Sequence, residues 1–135
     1  MAQYTASIDL STLNGANGFK LYGALSKDYD GTGVSLGDIN GDGFADVIVG
    51  SPDADPHGTN SGAGYVVFGK ASGFSAGFSL ATLDGTLGFR AAGEAASANT
   101  GRTIGARGDF NGDGFDELVV PASIASPNGL QSGAV

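Results

Sequence analysis

Cysteine and basic residues are what this chain lacks most clearly. It contains no cysteine, which excludes disulfide bonds and thiolate chemistry. Six lysines and arginines stand against 14 acidic residues, and the formal net charge of -8 excludes the basic surface that nucleic-acid binding requires. No run of about 18 apolar residues is present, so the sequence predicts no membrane insertion. The charge balance instead favours a cationic partner such as a metal ion.

Glycine, in contrast, is abundant. The 135 residues include 25 glycines, without the three-residue period of collagen. Glycines in such numbers are typical of the turns between short strands. The length of 135 residues suits one domain, and the hydrophobic share of 41% is enough for a sizeable core.

An internal repeat organises the chain. The segment IDLSTLNGANGFKLYG (8–23) recurs as FSLATLDGTLGFRAAG (78–93), and GDINGDGFADVIVG (37–50) recurs as GDFNGDGFDELVVP (108–121). The two pairs are 70 and 71 residues apart. Self-similarity at a nearly fixed period indicates a repeat architecture.

Each repeat is predicted to form four short strands. In the first repeat these are residues 33–36, 46–50, 64–69 and 88–93, which are rich in Val, Ile, Tyr and Phe and bounded by turn residues. Only residues 79–83 suggest a helical turn. The sequence therefore predicts an all-β fold of two four-stranded antiparallel sheets, which is how the blades of a β-propeller are built.

The repeats divide the chain into three expected segments. Residues 24–93 form a first blade with the loop 38–46, and residues 94–135 form a second, incomplete blade with the loop 109–117. Residues 1–23 are expected to supply closing strands to a blade of a neighbouring protomer. Two blades alone leave an apolar face bare at each end, and propellers close with about 4–8 blades. We therefore expect head-to-tail self-association into a homo-oligomer, with a trimer favoured over a tetramer.

The two acidic loops carry the chemistry. Carboxylate and amide side chains alternate there, so their oxygens converge on one centre, while the glycines permit a tight turn. Ca²⁺, which takes about 6–8 oxygen ligands in flexible geometry, suits such a shell better than Mg²⁺ does. In the first loop the candidate ligands are the side chains of Asp38, Asn40, Asp42 and Asp46 and the carbonyl of Phe44.

Two alternatives bear on this interpretation. An EF-hand would need a Glu at loop position twelve, where Val49 and Val120 stand inside predicted strands, so it is excluded. An acidic turn without metal stays open, because Asn-Gly and Asp-Gly are ordinary turn pairs. The repetition of one spacing before two β-branched runs favours the metal site.

These motifs resemble FG-GAP repeats, the calcium-binding blades of integrin α-subunit propellers and of many bacterial surface and RTX-type proteins. The resemblance implies a β-propeller with Ca²⁺ between the first two strands of a blade, and an extracellular or cell-surface location. In the second loop it implies these ligands: Asp109, Asn111, Asp113, Phe115 through its carbonyl, and Glu117. Because Glu117 replaces the family's usual Asp, either Glu117 or its neighbour Asp116 is expected to complete that site.

No catalytic constellation is visible. His57 is the single histidine, and no nucleophile-elbow motif accompanies it. We therefore expect a non-enzymatic scaffold of adhesion type. The first alternative is a calcium-dependent lectin or protein-binding module, for which Tyr22 and Tyr29 are the candidate exposed aromatic residues. The second is a fragment of an exported hydrolase, since some of these carry FG-GAP repeats.

Overall fold

The computed structural model describes residues 7–106 and 108–135. Within this part of the chain the regular elements are strands and two single-turn 3₁₀ helices, Leu10–Thr12 and Leu80–Thr82, the latter at the predicted helical turn. None of the described helices is long and apolar enough to span a membrane. The strands are β1 (Lys20–Tyr22), β2 (Val34–Gly37), β3 (Asp46–Ser51), β4 (Ala63–Val67), β5 (Gly77–Ser79), β6 (Gly88–Ala92), β7 (Gly105–Ala106) and β8 (Leu118–Val119).

The first repeat forms a four-stranded sheet in the order β2-β3-β4-β6, with every neighbouring pair antiparallel. The β3–β4 register places Val49 opposite Tyr65 and Ile48 opposite Val66. The acidic loop 38–46 therefore connects the first two strands, and the third and fourth strands follow where the sequence predicted them. The prediction of an all-β fold with an antiparallel four-stranded sheet in the first repeat is confirmed.

One face of this sheet carries the largest apolar cluster. Because side chains alternate along a strand, Val49, Tyr65 and Val67 share this face, and each is at most 4% exposed. Leu80 packs against them from the 3₁₀ helix and is 3% exposed. Leu21 of β1 joins the edge of the cluster. The segment around β5 and the second 3₁₀ helix, with Phe74, Phe78 and Leu80, thus covers most of this face.

The opposite face packs against the second repeat. Ile48 and Val66 lie on this face and are fully buried. Gly64 lies beside Val66 in β4, and a Cβ atom at Gly64 would stand only 2.4 Å from Cδ1 of Ile104 and 3.6 Å from Cγ1 of Val120. The two repeats therefore stack closely, and both faces of the sheet are covered, as in a propeller blade.

The second repeat is less complete than the first. Its described residues form the short antiparallel pair β7–β8 and one further bridge between Ala122 and Ala134. Of the four strands of a blade, the described part of the second repeat thus shows two strands and the Ala122–Ala134 bridge; the sequence predicted an incomplete blade over residues 94–135. The bridge corresponds to the pairing of Ser51 with Ala63 in the first repeat, so the second repeat has the same arrangement over a shorter extent.

The N-terminal segment is held by a parallel contact. Strand β1 pairs in parallel with β5, with Lys20 opposite Gly77 and Tyr22 opposite Ser79. Phe19, just before β1, stacks on Phe74 with a ring-centroid distance of 4.4 Å. Residues 1–6 of the predicted closing segment lie outside the described part of the chain.

Candidate metal centres

The first acidic loop is built on the carboxylate of Asp38. Its Oδ1 accepts the backbone N–H of Asp42 at 3.0 Å, and its Oδ2 accepts that of Gly43 at 2.9 Å. Asp42 in turn accepts the N–H of Phe44 at 2.8 Å. Gly41 and Gly43 have φ angles of +71° and +83°, a region that favours glycine. The side chains therefore fold the loop around themselves, as short polar side chains do in Asx turns.

The second loop repeats this arrangement. Asp109 accepts the N–H of Asp113 at 3.0 Å and that of Gly114 at 2.8 Å, and Asp113 accepts the N–H of Phe115 at 3.0 Å. The backbone bond from Gly114 is the largest cause that lowers the pKa of Asp109 below its ordinary value, with a smaller contribution from Gly112. This carboxylate is therefore ionised at neutral pH and available to a cation.

The last acidic residue of the first loop is turned towards the protein. Asp46 is fully buried at the start of β3. One of its carboxylate oxygens accepts the N–H of Ile39 at 2.8 Å, and the other accepts that of Gly69, also at 2.8 Å. Asp46 thus ties the loop to the chain after β4.

The last acidic residue of the second loop, Glu117, instead points into its own loop. Glu117 accepts the N–H of Phe110 at 2.7 Å through Oε2, and the side-chain amide of Asn111 at 2.7 Å through Oε1. Its carboxylate joins those of Asp109 and Asp113, with oxygen atoms that all lie within 4.8 Å of one another. Among residues 7–106 and 108–135 this is the one group of three such carboxylates, and the first loop does not gather Asp38, Asp42 and Asp46 in this way.

Asp116 lies on the other side of the chain from this cluster. Its Oδ2 accepts the backbone N–H of Asp38 at 2.8 Å, and its own N–H donates to the carbonyl of Asp38 at 2.9 Å. The sequence left Glu117 and Asp116 as alternatives, and the geometry favours Glu117 as the residue beside Asp109. The contact of Asp116 with the first loop joins residues 78 positions apart, so no local pattern could have revealed it.

The donor sets fit a hard cation. Each loop presents carboxylate and amide oxygens at alternate positions, which is the ligand chemistry that Ca²⁺ prefers. The amides are themselves oriented, since Asn40 donates to Asp42 at 2.9 Å and Asn111 donates to Asp113 at 3.1 Å. The residues present therefore suit Ca²⁺, with the second loop more compactly arranged than the first.

The remaining candidate residues lie away from the loops. Tyr22 and Tyr29 are 53% and 67% exposed, in agreement with their predicted exposure. A glycan or protein ligand for them stays a prediction. Nδ1 of His57 lies 2.8 Å from the carbonyl oxygen of Gly93, so this ring fastens one loop to the end of β6.

Comparison with known proteins adds two findings. The chain is 29% identical over 129 residues to a phosphatidylinositol-glycan-specific phospholipase D of Dictyostelium discoideum, an alignment that covers 87% of this chain and 13% of that protein. The chain thus spans a small part of this curated relative. The family model for the FG-GAP repeat matches residues 31–67 and residues 100–135, which together make more than half of the chain. Each match contains one acidic loop. Because the matches cover more than half of its length, the chain belongs to the FG-GAP repeat family.

Proposed function

We propose that this chain is a non-enzymatic structural module whose loops 38–46 and 109–117 bind Ca²⁺. The observation that carries the proposal is the convergence of Asp109, Asp113 and Glu117, with carboxylate oxygens within 4.8 Å of one another. The near-identical hydrogen bonds around Asp38 support a second site in the first loop. Family membership supports both, because FG-GAP repeats often bind Ca²⁺ and are generally non-catalytic.

The proposed role of the metal is electrostatic. Carboxylates gathered in one loop repel each other when ionised, and this repulsion opposes folding. When bound, Ca²⁺ supplies two positive charges to each loop, and two ions would change the formal net charge from -8 to -4. Backbone N–H bonds to Asp38 and Asp109 hold both turns in place, which limits the ordering that binding requires. Without the bidentate Glu of an EF-hand, we expect a Kd of about 10⁻⁴–10⁻³ M.

This affinity suits a protein outside the cell. Extracellular calcium modules work in the same concentration range, and FG-GAP repeats are typical of extracellular and cell-surface proteins. The phospholipase activity belongs to the relative, of which the chain spans 13%. Because FG-GAP repeats are generally non-catalytic, we assign this chain a scaffold or adhesion role.

Thermal unfolding tests the calcium proposal. Because Ca²⁺ would bind the folded loops only, the Tm should rise with calcium concentration and fall when EGTA is added. Mg²⁺ at the same concentration should have a smaller effect, because it demands a rigid octahedral shell. The matched variants Asp42→Asn and Asp113→Asn should each remove part of the calcium-dependent shift. A melting curve that EGTA leaves unchanged would contradict the proposal.

A second proposal concerns self-association, and it starts from a cleft of about 590 Å³ beside the second repeat. Val120, Ala125 and Ala134 line this cleft. Their counterparts 71 residues earlier are Val49, Ala54 and Ala63, each at most 4% exposed, which pack around Leu80. In the second repeat, by contrast, Val120 and Ala125 are only partly buried and Ala134 is exposed.

The residue equivalent to Leu80 in the earlier copy of the repeated segment is Leu10, 70 residues before it, which is 68% exposed. Strand β1, which follows Leu10, pairs with β5 beside the cluster around Leu80, whereas the cleft belongs to the repeat that packs on the opposite face of the sheet. We therefore assign the cleft to the exposed Leu10 of a second copy. Such a head-to-tail contact closes a ring when the rotation permits, with a trimer favoured over a tetramer.

Light scattering on the folded protein in calcium tests this contact. The wild-type chain should give an oligomer mass at micromolar concentration, and Leu10→Asp should give a monomer with an unchanged circular dichroism spectrum. Ser11→Asp, a substitution at the exposed neighbouring position, is the matched control and should leave the oligomer intact. A monomeric wild-type chain would contradict self-association without affecting the calcium proposal.

A further inference from the structure

The second loop is bonded to the first at its opening residue. Asp116 and Asp38 exchange two hydrogen bonds, one from the backbone N–H of Asp38 to Oδ2 of Asp116 at 2.8 Å and one from the N–H of Asp116 to the carbonyl of Asp38 at 2.9 Å. Asp116 is partly buried there and lies between Phe115 and Glu117, two candidate ligands of the second loop. The backbone of Asp38 is therefore fixed by the neighbouring loop.

A second contact lies a few residues further along. A Cβ atom at Gly41 would stand 2.4 Å from Cε1 of Phe115, so the phenyl ring rests directly on the backbone of the first loop. A side chain at Gly37 would likewise meet Oδ2 of Asp116, at 2.9 Å. Phe115 and Asp116 thus contact the first loop at Asp38 and Gly41 and the residue before it at Gly37, and only glycine at Gly37 and Gly41 leaves room for this approach.

Nothing equivalent extends from the first loop. The position that corresponds to Asp116 in the first repeat is Ala45, 71 residues earlier. Alanine has no side-chain acceptor and cannot hold the N–H of another loop. The contact is thus specific to the second repeat, and the Asp, Asn and Gly positions that the two loops share do not require it.

We infer that Asp116 couples the two loops, so that ordering of residues 115–117 at the second site raises the calcium affinity of the first. This inference rests on the proposed calcium function. Asp38 is the residue through which the coupling acts, because its carboxylate both accepts the turn-forming N–H bonds and offers a ligand oxygen. Coupling between two sites is reciprocal, so the first loop raises the affinity of the second by the same factor.

The sign of the coupling separates this inference from plain electrostatics. Two cations in adjacent loops repel each other, and repulsion alone would make the second ion bind more weakly than the first. A structural link through Asp116 has the opposite effect, with an expected gain of at least about fivefold in affinity. The wild-type chain should therefore bind calcium with a Hill coefficient above unity.

Isothermal titration calorimetry with CaCl₂ tests the inference on the full chain. Asp116→Ala should reduce the Hill coefficient to unity or below. Asp116→Asn removes the charge but keeps an oxygen that can accept the N–H of Asp38, so it should retain the coupling. Glu94→Gln, which removes one negative charge at an exposed position away from the loops, should behave as wild type.

A variant of the second site gives a test that leaves Asp116 in place. In Asp113→Asn the second loop keeps an amide oxygen but loses one negative charge, which weakens the second site. The first site, with its neighbour empty, should then bind at least about fivefold more weakly than the first site in the wild-type chain. Two independent sites in the wild-type chain, with the same affinity for the first site in Asp113→Asn, would overturn the coupling. Absence of any calcium binding would overturn the proposed function instead, so the two failures are distinguishable.

Discussion

Loops 38–46 and 109–117 make the same side-chain-to-backbone hydrogen bonds, but the sheets that follow them differ in extent. The first continues into a four-stranded sheet with both faces covered, whereas the second continues into a two-residue strand beside an open cleft. The turn-forming bonds to Asp38 and Asp109 join residues at most five positions apart. The sheet also needs more distant partners, such as Ala92 for Ala63, 29 positions away. Local chemistry therefore forms the turn at the start of each loop, and neighbouring segments are needed for the blade.

Equivalent residues of the two repeats also differ in burial. Leu80 and Leu10 occupy equivalent places in the repeated segment, and they are 3% and 68% exposed, respectively. Asp46 and Glu117 close equivalent loops, but only Asp46 is fully buried. Each pair places similar side chains at equivalent positions, one buried in the protein and the other more open to water. Substitutions at these pairs therefore measure how much burial contributes to stability.

The largest expected effect is at the leucine pair. Leu80→Ala removes a buried side chain from the apolar cluster and should lower the free energy of unfolding by about 2–5 kcal/mol. Leu10→Ala should change it by no more than about 0.5 kcal/mol, because this side chain is mostly in water. Urea denaturation of the monomeric chain at low concentration measures both. Equal losses for the two variants would contradict the difference between the two surroundings.

The acidic pair should give the next largest effect. In EGTA, Asp46→Ala leaves the N–H groups of Ile39 and Gly69 without their acceptor. Because both hydrogen bonds are only partly buried, we expect each loss to cost about 1 kcal/mol, the low end of the range for unsatisfied groups. Glu117→Ala should cost less, about 0.5 kcal/mol, because its loop is open to water.

Glu117→Ala should cost more stability in calcium than in EGTA. Glu117→Ala should lose part of the stabilisation that calcium gives the wild-type chain, since Glu117 completes the cluster with Asp109 and Asp113. Denaturation in calcium and in EGTA separates the two contributions. If Glu117→Ala kept the full calcium increment, the assignment of Glu117 as a ligand would be wrong.

A smaller effect is expected at Asp28, whose counterpart 70 residues later is Ala98. Both are buried, at 6% and 2% exposure. Burial, and next the neighbouring charge of Asp30, raise the pKa of Asp28 above its ordinary value, while the backbone hydrogen bond from Leu25 and, to a smaller extent, Arg90 oppose this shift. The charged form is therefore disfavoured in the folded protein, which loses stability as pH rises from the unfolded value of 3.8 through the raised folded pKa.

Asp28→Asn should consequently raise the Tm at neutral pH and change it little below pH 3.8. Glu94→Gln, at an exposed position, controls for the loss of one negative charge. A variant that destabilised the protein at neutral pH would show that the carboxylate makes a compensating contact, and the pH series would then have the opposite slope.

Much of the first repeat could be predicted from its sequence, because its strands are short, β-branched and bounded by turn residues. The predicted strand 46–50 and the observed Asp46–Ser51 differ by one residue. The alternation of Asp, Asn and Gly also predicted both loops. These features are local, and local patterns are what a sequence displays.

The remainder depends on contacts between distant residues. The parallel pairing of β1 with β5 joins segments 57 residues apart, and the bond from Asp38 to Asp116 joins residues 78 apart. Asp46 was predicted as a ligand side chain on equal terms with Asp38, whereas its burial and its bond to Gly69 follow from the position of β4. Neither the spacing nor the residue types of the loop contain that information.

Both acidic loops are proposed to bind Ca²⁺, and counting the calcium bound to the folded chain after equilibrium dialysis tests this, with free calcium about tenfold above the expected Kd. The wild-type chain should retain close to two ions, and each of the variants Asp42→Asn and Asp113→Asn should retain no more than one. Folded wild-type protein that retains no calcium under these conditions would contradict the proposal.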